Sequence, residues 1–152
     1  MKIVFLDIDG VLNSAEYDLS RGEKDGNIDI TRLPLIKRIV ENTGAKIVLS
    51  SSWRKLWEAD KTLCSAEGLE IDNAFSSAGL EIFDKTPIMG LRSQEIACWL
   101  ENHPETERFV ILDDMLFGWG ELSDYLVRTD GAVGRGLENQ HVERAIEILN
   151  RK

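Results

Sequence analysis

Acidic side chains follow the first apolar run of the chain. Asp7 and Asp9 come directly after Ile3–Leu6, and Gly10 completes a DxDG pattern. A carboxylate at a strand end can attack phosphorus and form an aspartyl-phosphate, while a second carboxylate two residues later can protonate the leaving oxygen and then activate water. The simpler interpretation is a turn in which Asp9 and Gly10 only redirect the chain. The position of Asp7 favours the chemical interpretation, because a carboxylate in an apolar setting needs a partner.

Three consecutive serines, Ser50, Ser51 and Ser52, follow a second apolar run, Lys46–Leu49. A hydroxyl just past a strand, together with free backbone amides, can hold a phosphoryl oxygen. A serine in such a position can instead cap a helix, and the two roles are compatible if different serines fill them. The pattern leaves open which of the three would bind phosphate.

Two adjacent acids, Asp113 and Asp114, follow a third apolar run, Phe109–Leu112. Paired carboxylates suit a hard divalent cation, which takes oxygen ligands and retains waters, although an Asp-rich turn would look the same. A basic side chain near these acids could balance a transferring phosphoryl group. Arg92 precedes a predicted helix, and Lys85 is the competing residue in a segment that resembles an exposed loop.

The elements that would position these residues alternate between strand and helix. Short apolar runs predict buried strands at Ile3–Leu6, Lys46–Leu49, Phe109–Leu112 and Tyr125–Val127, with a weaker candidate at Glu70–Phe75. Helices are predicted between Thr31 as cap and Gly44 as terminator, after a cap at Ser93, and over Val142–Leu149. Such alternation predicts a parallel sheet covered on both faces, with the site beyond the carboxyl ends of the strands.

Composition limits the possible partners. With 152 residues, 43% of them hydrophobic, the chain can bury a core and is predicted to form one domain over residues 1–152. The net charge of −9 disfavours broad, charge-driven binding to nucleic acid or anionic membranes. No stretch approaches the ~20 apolar residues of a membrane span. Cys64 and Cys98 lack zinc-site spacing, which favours reduced thiols in a cytoplasmic protein.

In chain order, these segments resemble the successive motifs of the haloacid dehalogenase (HAD) superfamily. DIDGVLN at 7–13 is similar to the first motif, DxDGxL, while the serines, the basic residue before a helix and the paired acids resemble the second, third and fourth. The resemblance implies an α/β, three-layer Rossmann-like HAD fold with a central, mainly parallel sheet. Residues 14–30 and 53–91 are too few for a large cap domain beside the predicted elements.

The resemblance also implies an activity, that of a phosphoric monoester hydrolase with Mg²⁺ as cofactor. Asp7 would be the nucleophile and a metal ligand, and Asp9 would be the general acid/base with its backbone carbonyl facing the metal. Asp113 and Asp114 would hold Mg²⁺ directly or through water. These carry-overs rest on the matched motifs at positions 7–13 and 113–114.

The phosphoryl group has its own set of implied ligands. Ser50 would bind it, with Ser51 as the alternative if the register differs by one residue. Arg92 matches the third-motif position that lysine or arginine usually holds, and Lys85 stays open as the alternative. The ordered set is more specific than any of its members.

A closer likeness involves LSSSWR at 49–54, RSQEIACWL at 92–100, VILDD at 110–114 and GL at 136–137. These segments resemble small HAD domains associated with RNA-repair proteins and, more distantly, the phosphatase domains of polynucleotide kinase-phosphatases. The likeness implies a phosphorylated substrate such as a nucleotide or a nucleic-acid 3′ end. Trp53 and Trp57 could stack a base near the site. Their spacing of four residues favours a helix face packed on the core.

Other functions fit the same residues. A phosphotransferase of the superfamily would share the first step, although a mutase must exclude water between steps and would need more cover than this chain offers. A non-catalytic HAD-fold binding or regulatory module would keep the fold without turnover. A dehalogenase is disfavoured, because the acid/base at Asp9 is characteristic of the phosphoryl-transfer branch.

Overall fold

Five parallel strands form the central sheet of the computed structural model, which describes residues 1–21 and 27–152. The order across the sheet is β3-β2-β1-β4-β5. The strands are β1 (Lys2–Leu6), β2 (Lys46–Leu49), β3 (Ile82–Lys85), β4 (Arg108–Asp113) and β5 (Leu126–Arg128). Every neighbouring pair is parallel, so all carboxyl ends meet at one edge of the sheet. The predicted Rossmann-like α/β fold is confirmed.

Helices cover both faces of the sheet and make three layers. They are α1 (Ala15–Ser20), α2 (Leu33–Thr43), α3 (Ala66–Ser77), α4 (Arg92–Glu101) and α5 (Asn139–Leu149). Alternate residues of β1 point to opposite faces: Val4 and Leu6 pack with α2, α3 and α5, while Ile3 and Phe5 pack with α4. Burial on both faces explains why β1 is apolar without alternation.

The helices begin and end only partly where the sequence predicts. Gly44 ends α2 with φ 72°, and its N–H donates to the Val40 carbonyl at 2.8 Å, as its glycine predicts. Thr31 does not cap this helix, because Arg32 is the N-cap and Thr31 lies in a preceding 3-10 turn. Ser93 lies inside α4 and Leu91 is its N-cap, so the helix begins earlier than predicted.

The weak strand prediction at Glu70–Phe75 is wrong, because this segment lies inside α3. The run is short, and its buried residues Ile71 and Phe75 have the four-residue spacing of one helix face. The strand missing from the prediction is β3, which places Lys85 at the end of a sheet strand and not in an exposed loop. As an edge strand, β3 has weak apolar patterning, and Phe83 is exposed.

No large cap is inserted between the described elements. The described part of the segment between β1 and α2 holds α1 and a 3-10 turn, and the segment between β2 and β3 holds two 3-10 turns and α3. The carboxyl edge of the sheet therefore has little covering structure of its own. Within the described chain, no helix has the length and apolarity to span a membrane.

Candidate active site

Three strand ends bring the predicted residues side by side. Leu6 of β1 is in register with Leu49 of β2 and Leu112 of β4. Asp7 and Ser50 each follow directly, and their N–H groups donate to the carbonyls of Leu112 and Leu6, both at 3.0 Å. Parallel pairing therefore fixes the backbone positions of Asp7, Ser50 and Asp113, which follow or end β1, β2 and β4.

The carboxylates of Asp7, Asp113 and Asp114 form a cluster in which one oxygen of each lies within 4.8 Å of the others. Burial, and then the Asp113 carboxylate, raise the pKa of Asp7 from 3.8 to about 7. Burial and Asp113 also raise the pKa of Asp114. Three hard oxygen donors whose charges repel one another are a suitable ligand set for Mg²⁺, which takes carboxylates and keeps waters.

Arg92, in the first turn of α4, lies against this cluster. Its Nη1 is 3.1 Å from Asp7 Oδ2 and 2.7 Å from Asp113 Oδ2. Burial acts to lower the pKa of Arg92, but the carboxylates of Asp7 and Asp113 outweigh it and the pKa is raised. Lys85 instead pairs with Glu58 at 2.8 Å and donates to two backbone carbonyls. The structure thus brings Arg92, and not Lys85, into contact with Asp7.

The three serines have different environments. Ser51 Oγ accepts from Trp53 N at 3.2 Å and caps the 3-10 turn Ser52–Lys55. Ser52 is exposed. Ser50 is fully buried beside Asp7, and its hydroxyl has no hydrogen-bond partner among the described residues. The capping role therefore belongs to Ser51, and the unsatisfied hydroxyl at Ser50 is available for a phosphoryl oxygen.

Asp9 lies beyond the buried cluster, at the surface. Its Oδ1 accepts from Asn13 Nδ2 at 3.0 Å and its Oδ2 accepts from Trp53 Nε1 at 2.9 Å. The neighbouring Gly10 has φ 79°, and a Cβ there would overlap the Asp114 carboxylate. A residue other than glycine would thus displace the Asp114 carboxylate or disturb the turn that follows Asp9.

The family of the chain follows from one comparison. The family model for the HAD domain in Swiss Army Knife RNA repair proteins matches residues 3–142. The chain belongs to this family. No curated protein and no solved structure gives a significant match. Membership supports a phosphatase-type hydrolase in general, and the matched range contains every candidate site residue.

Two residues of this HAD domain that sequence reasoning did not assign to the site support its first turn. Thr129, buried just after β5, donates from Oγ1 to the Gly10 carbonyl at 2.6 Å, and its N–H donates to the Asp113 carbonyl at 3.0 Å. Asn13 Oδ1 accepts from Gly10 N at 2.9 Å. A polar residue after the fourth predicted strand was the available signal for Thr129.

Arg54 is buried and binds the backbone of the turn that carries the three serines. Its guanidinium donates to the carbonyls of Ser50, Ser51, Thr86 and Pro87 and pairs with Glu95 of α4 at 2.7 Å. Burial lowers the pKa of Arg54 while Glu95 acts to raise it. The helix α4 also carries Arg92. The buried pair therefore connects the serine turn of the HAD domain to the helix that places Arg92 beside Asp7. Its position directly after SSSW was the only sequence signal.

Proposed function

We propose that this HAD domain is a Mg²⁺-dependent phosphohydrolase that works through an aspartyl-phosphate on Asp7. The observation that carries the proposal is the placement of the Asp7 carboxylate, buried at the end of the central strand between Arg92 and two further carboxylates. A structural aspartate needs no such convergence of like charges, which burial makes unfavourable.

The proposed reaction has two steps. An Asp7 oxygen attacks phosphorus, the bond to the leaving oxygen breaks, and Asp9 gives that oxygen a proton. Asp9 then takes a proton from water, the water oxygen attacks phosphorus, and phosphate leaves while the Asp7 carboxylate is regenerated. The Arg92 guanidinium acts to lower the pKa of Asp7 and so favours the ionised form that the attack requires. Ser50 would donate to a phosphoryl oxygen.

Mg²⁺ would be held by the side chains of Asp7, Asp113 and Asp114 and by the backbone carbonyl of Asp9. When bound, it would neutralise charge on the phosphoryl oxygens and on the clustered carboxylates. The cluster fits this role, because it offers oxygen donors only, and because burial and then the Asp113 carboxylate raise the pKa of Asp7 to about 7, a cost of ionisation that a cation would relieve.

The proposed substrate is a phosphorylated nucleotide or polynucleotide end. A cavity of about 700 Å³ is lined by Tyr17, Trp53 and Lys55, and also by Glu67 and Glu70. The two aromatic rings suit a stacked base, and Lys55 offers a cation to a neighbouring phosphate, although two carboxylates line the same cavity. The open carboxyl edge of the sheet and the membership in an RNA-repair family point in the same direction. A terminal nucleotide needs few contacts, which is compatible with the chain's net charge of −9.

The test is phosphate release with and without Mg²⁺ from an aryl phosphate, mononucleotides, 3′-phosphorylated oligonucleotides and a phosphopeptide. We expect Asp7→Asn to abolish release and Asp9→Asn to reduce it by ~10²–10⁴, the usual contribution of a general acid/base. Asp60→Asn is the matched control, since Asp60 is exposed and caps a distant turn. Turnover by Asp7→Asn at the wild-type rate would contradict the mechanism.

A further inference from the structure

An indole N–H reaches the acid/base from a different strand connection. Trp53 follows β2, yet its Nε1 donates to Oδ2 of Asp9, which follows β1, at 2.9 Å. Asn13 Nδ2 holds Oδ1 at 3.0 Å. An exposed carboxylate is ordinarily free to rotate, but here each oxygen has its own donor. Each oxygen also keeps a second lone pair, which can carry the transferred proton.

The indole is fixed by its own surroundings. The backbone N–H of Trp53 donates to Ser51 Oγ at 3.2 Å. The indole ring packs against the core formed by α2, α3 and the sheet. The next residue, Arg54, is buried and bonded to four backbone carbonyls and to Glu95. The donor is therefore carried by a rigid turn, and it can fix the direction of a surface carboxylate.

We infer that Trp53 is a positioning residue that holds Asp9 where the leaving oxygen takes up its proton; this rests on the proposed function. As the phosphorus–oxygen bond breaks, its electron pair stays on the leaving oxygen and the proton of Asp9 moves there. Asp9 becomes a carboxylate in the same step. A hydrogen bond to a carboxylate is stronger than one to a neutral acid, so the indole contact strengthens as the transition state is approached.

The chain contains a matched control for this contact. Trp57 Nε1 donates to Asp72 Oδ1 at 3.0 Å, so this contact also joins an indole N–H to a carboxylate oxygen at nearly the same distance. Asp72 lies on α3 and is not a member of the acidic cluster. Trp53→Phe and Trp57→Phe each remove one indole N–H and keep an aromatic ring. Any general effect of losing a tryptophan should appear in both variants.

The experiment compares kcat/KM for 4-nitrophenyl phosphate and benzyl phosphate, which carry rings of similar size. Nitrophenolate leaves without a proton, whereas the benzyl alkoxide needs one. Of the ~10²–10⁴ that acid catalysis contributes, we expect Trp53→Phe to lose about 10-fold on benzyl phosphate and at most about twofold on the aryl ester. Trp57→Phe should change both values equally. The ratio of the two substrates does not depend on the fraction of folded protein, so partial unfolding cannot imitate the result.

A double variant tests whether Trp53 acts through Asp9. In an Asp9→Asn background, Trp53→Phe should leave the substrate ratio unchanged, because the acid that it positions has been removed. An equal loss on both substrates for Trp53→Phe alone would overturn the inference and reduce Trp53 to packing. Phosphate release by the wild type that does not depend on Asp7 would overturn the proposed function, and the inference with it.

Discussion

The buried pair between Arg54 and Glu95 gives the sharpest stability prediction. Their side chains are 3% and 7% exposed, and the pair is 2.7 Å long. Replacing arginine by methionine keeps an unbranched stem but removes every donor of the guanidinium. Among residues 1–21 and 27–152, Glu95 would then retain only the N–H groups of Met89 and Gly90 as partners, at 2.8 and 3.4 Å. The change therefore leaves a charge buried with too few donors.

Breaking a buried ion pair by removing one partner costs about 3–5 kcal/mol of unfolding free energy. For a chain of this size, each kcal/mol lowers the melting temperature by about 2–4 °C, so Arg54→Met should melt about 6–20 °C below the wild type. Urea unfolding followed by circular dichroism gives the free energy, and a thermal scan gives the melting temperature. Arg54→Met/Glu95→Gln should recover part of the loss, because the orphaned charge is gone.

The control is a pair of the same chemistry at the surface. Arg144 and Glu147 are 2.8 Å apart, but their side chains are 47% and 63% exposed. Water screens this pair, so Arg144→Met should change stability by no more than about 0.5 kcal/mol. If Arg54→Met and Arg144→Met lost the same stability, burial would not be what gives the Arg54 pair its importance, and the reasoning would fail.

Two further predictions concern the acidic cluster and its turn. Because the folded-state pKa of Asp7 is about 7 and its ordinary value is 3.8, metal-free protein should lose stability as pH rises between these values. The loss of unfolding free energy should be on the order of 4 kcal/mol and should be absent in Asp7→Asn. Urea unfolding in the presence of a chelator, repeated across this pH range, measures the loss. If Asp7→Asn showed the same dependence of stability on pH as the wild type, the prediction would be refuted. Gly10→Ala should displace Asp114 and lower phosphate release and Mg²⁺ affinity, measured by assay and calorimetry. Gly44→Ala shares the positive φ but has open space around its Cβ, so it should cost only about 1–3 kcal/mol of strain and keep activity; equal activity in the two variants would argue against the clash.

Strand ends were the most predictable part of this protein. Fully buried parallel strands need continuous apolar runs, so β1, β2 and β4 stand out from the sequence, and the polar residues that follow them identify the site edge. By contrast, part of the helix α3 is predicted as a strand, and the edge strand β3 is interpreted as an exposed loop. A short, partly buried run has too few apolar residues to distinguish the helical period of 3.6 residues from the strand period of 2, and tertiary packing decides between helix and strand.

The order of residue types along the chain predicts which side chains stand at the ends of β1, β2 and β4, and with them the acidic cluster and its serines. The packed fold is needed to show which cation reaches Asp7, which serine keeps a free hydroxyl, and that Trp53 contacts Asp9 across 44 positions of chain. Local pattern reports burial and backbone periodicity, whereas these contacts depend on where separate turns converge once the sheet has formed. A hydrogen bond needs a donor and an acceptor within about 3 Å, and that proximity is a property of the packed chain alone.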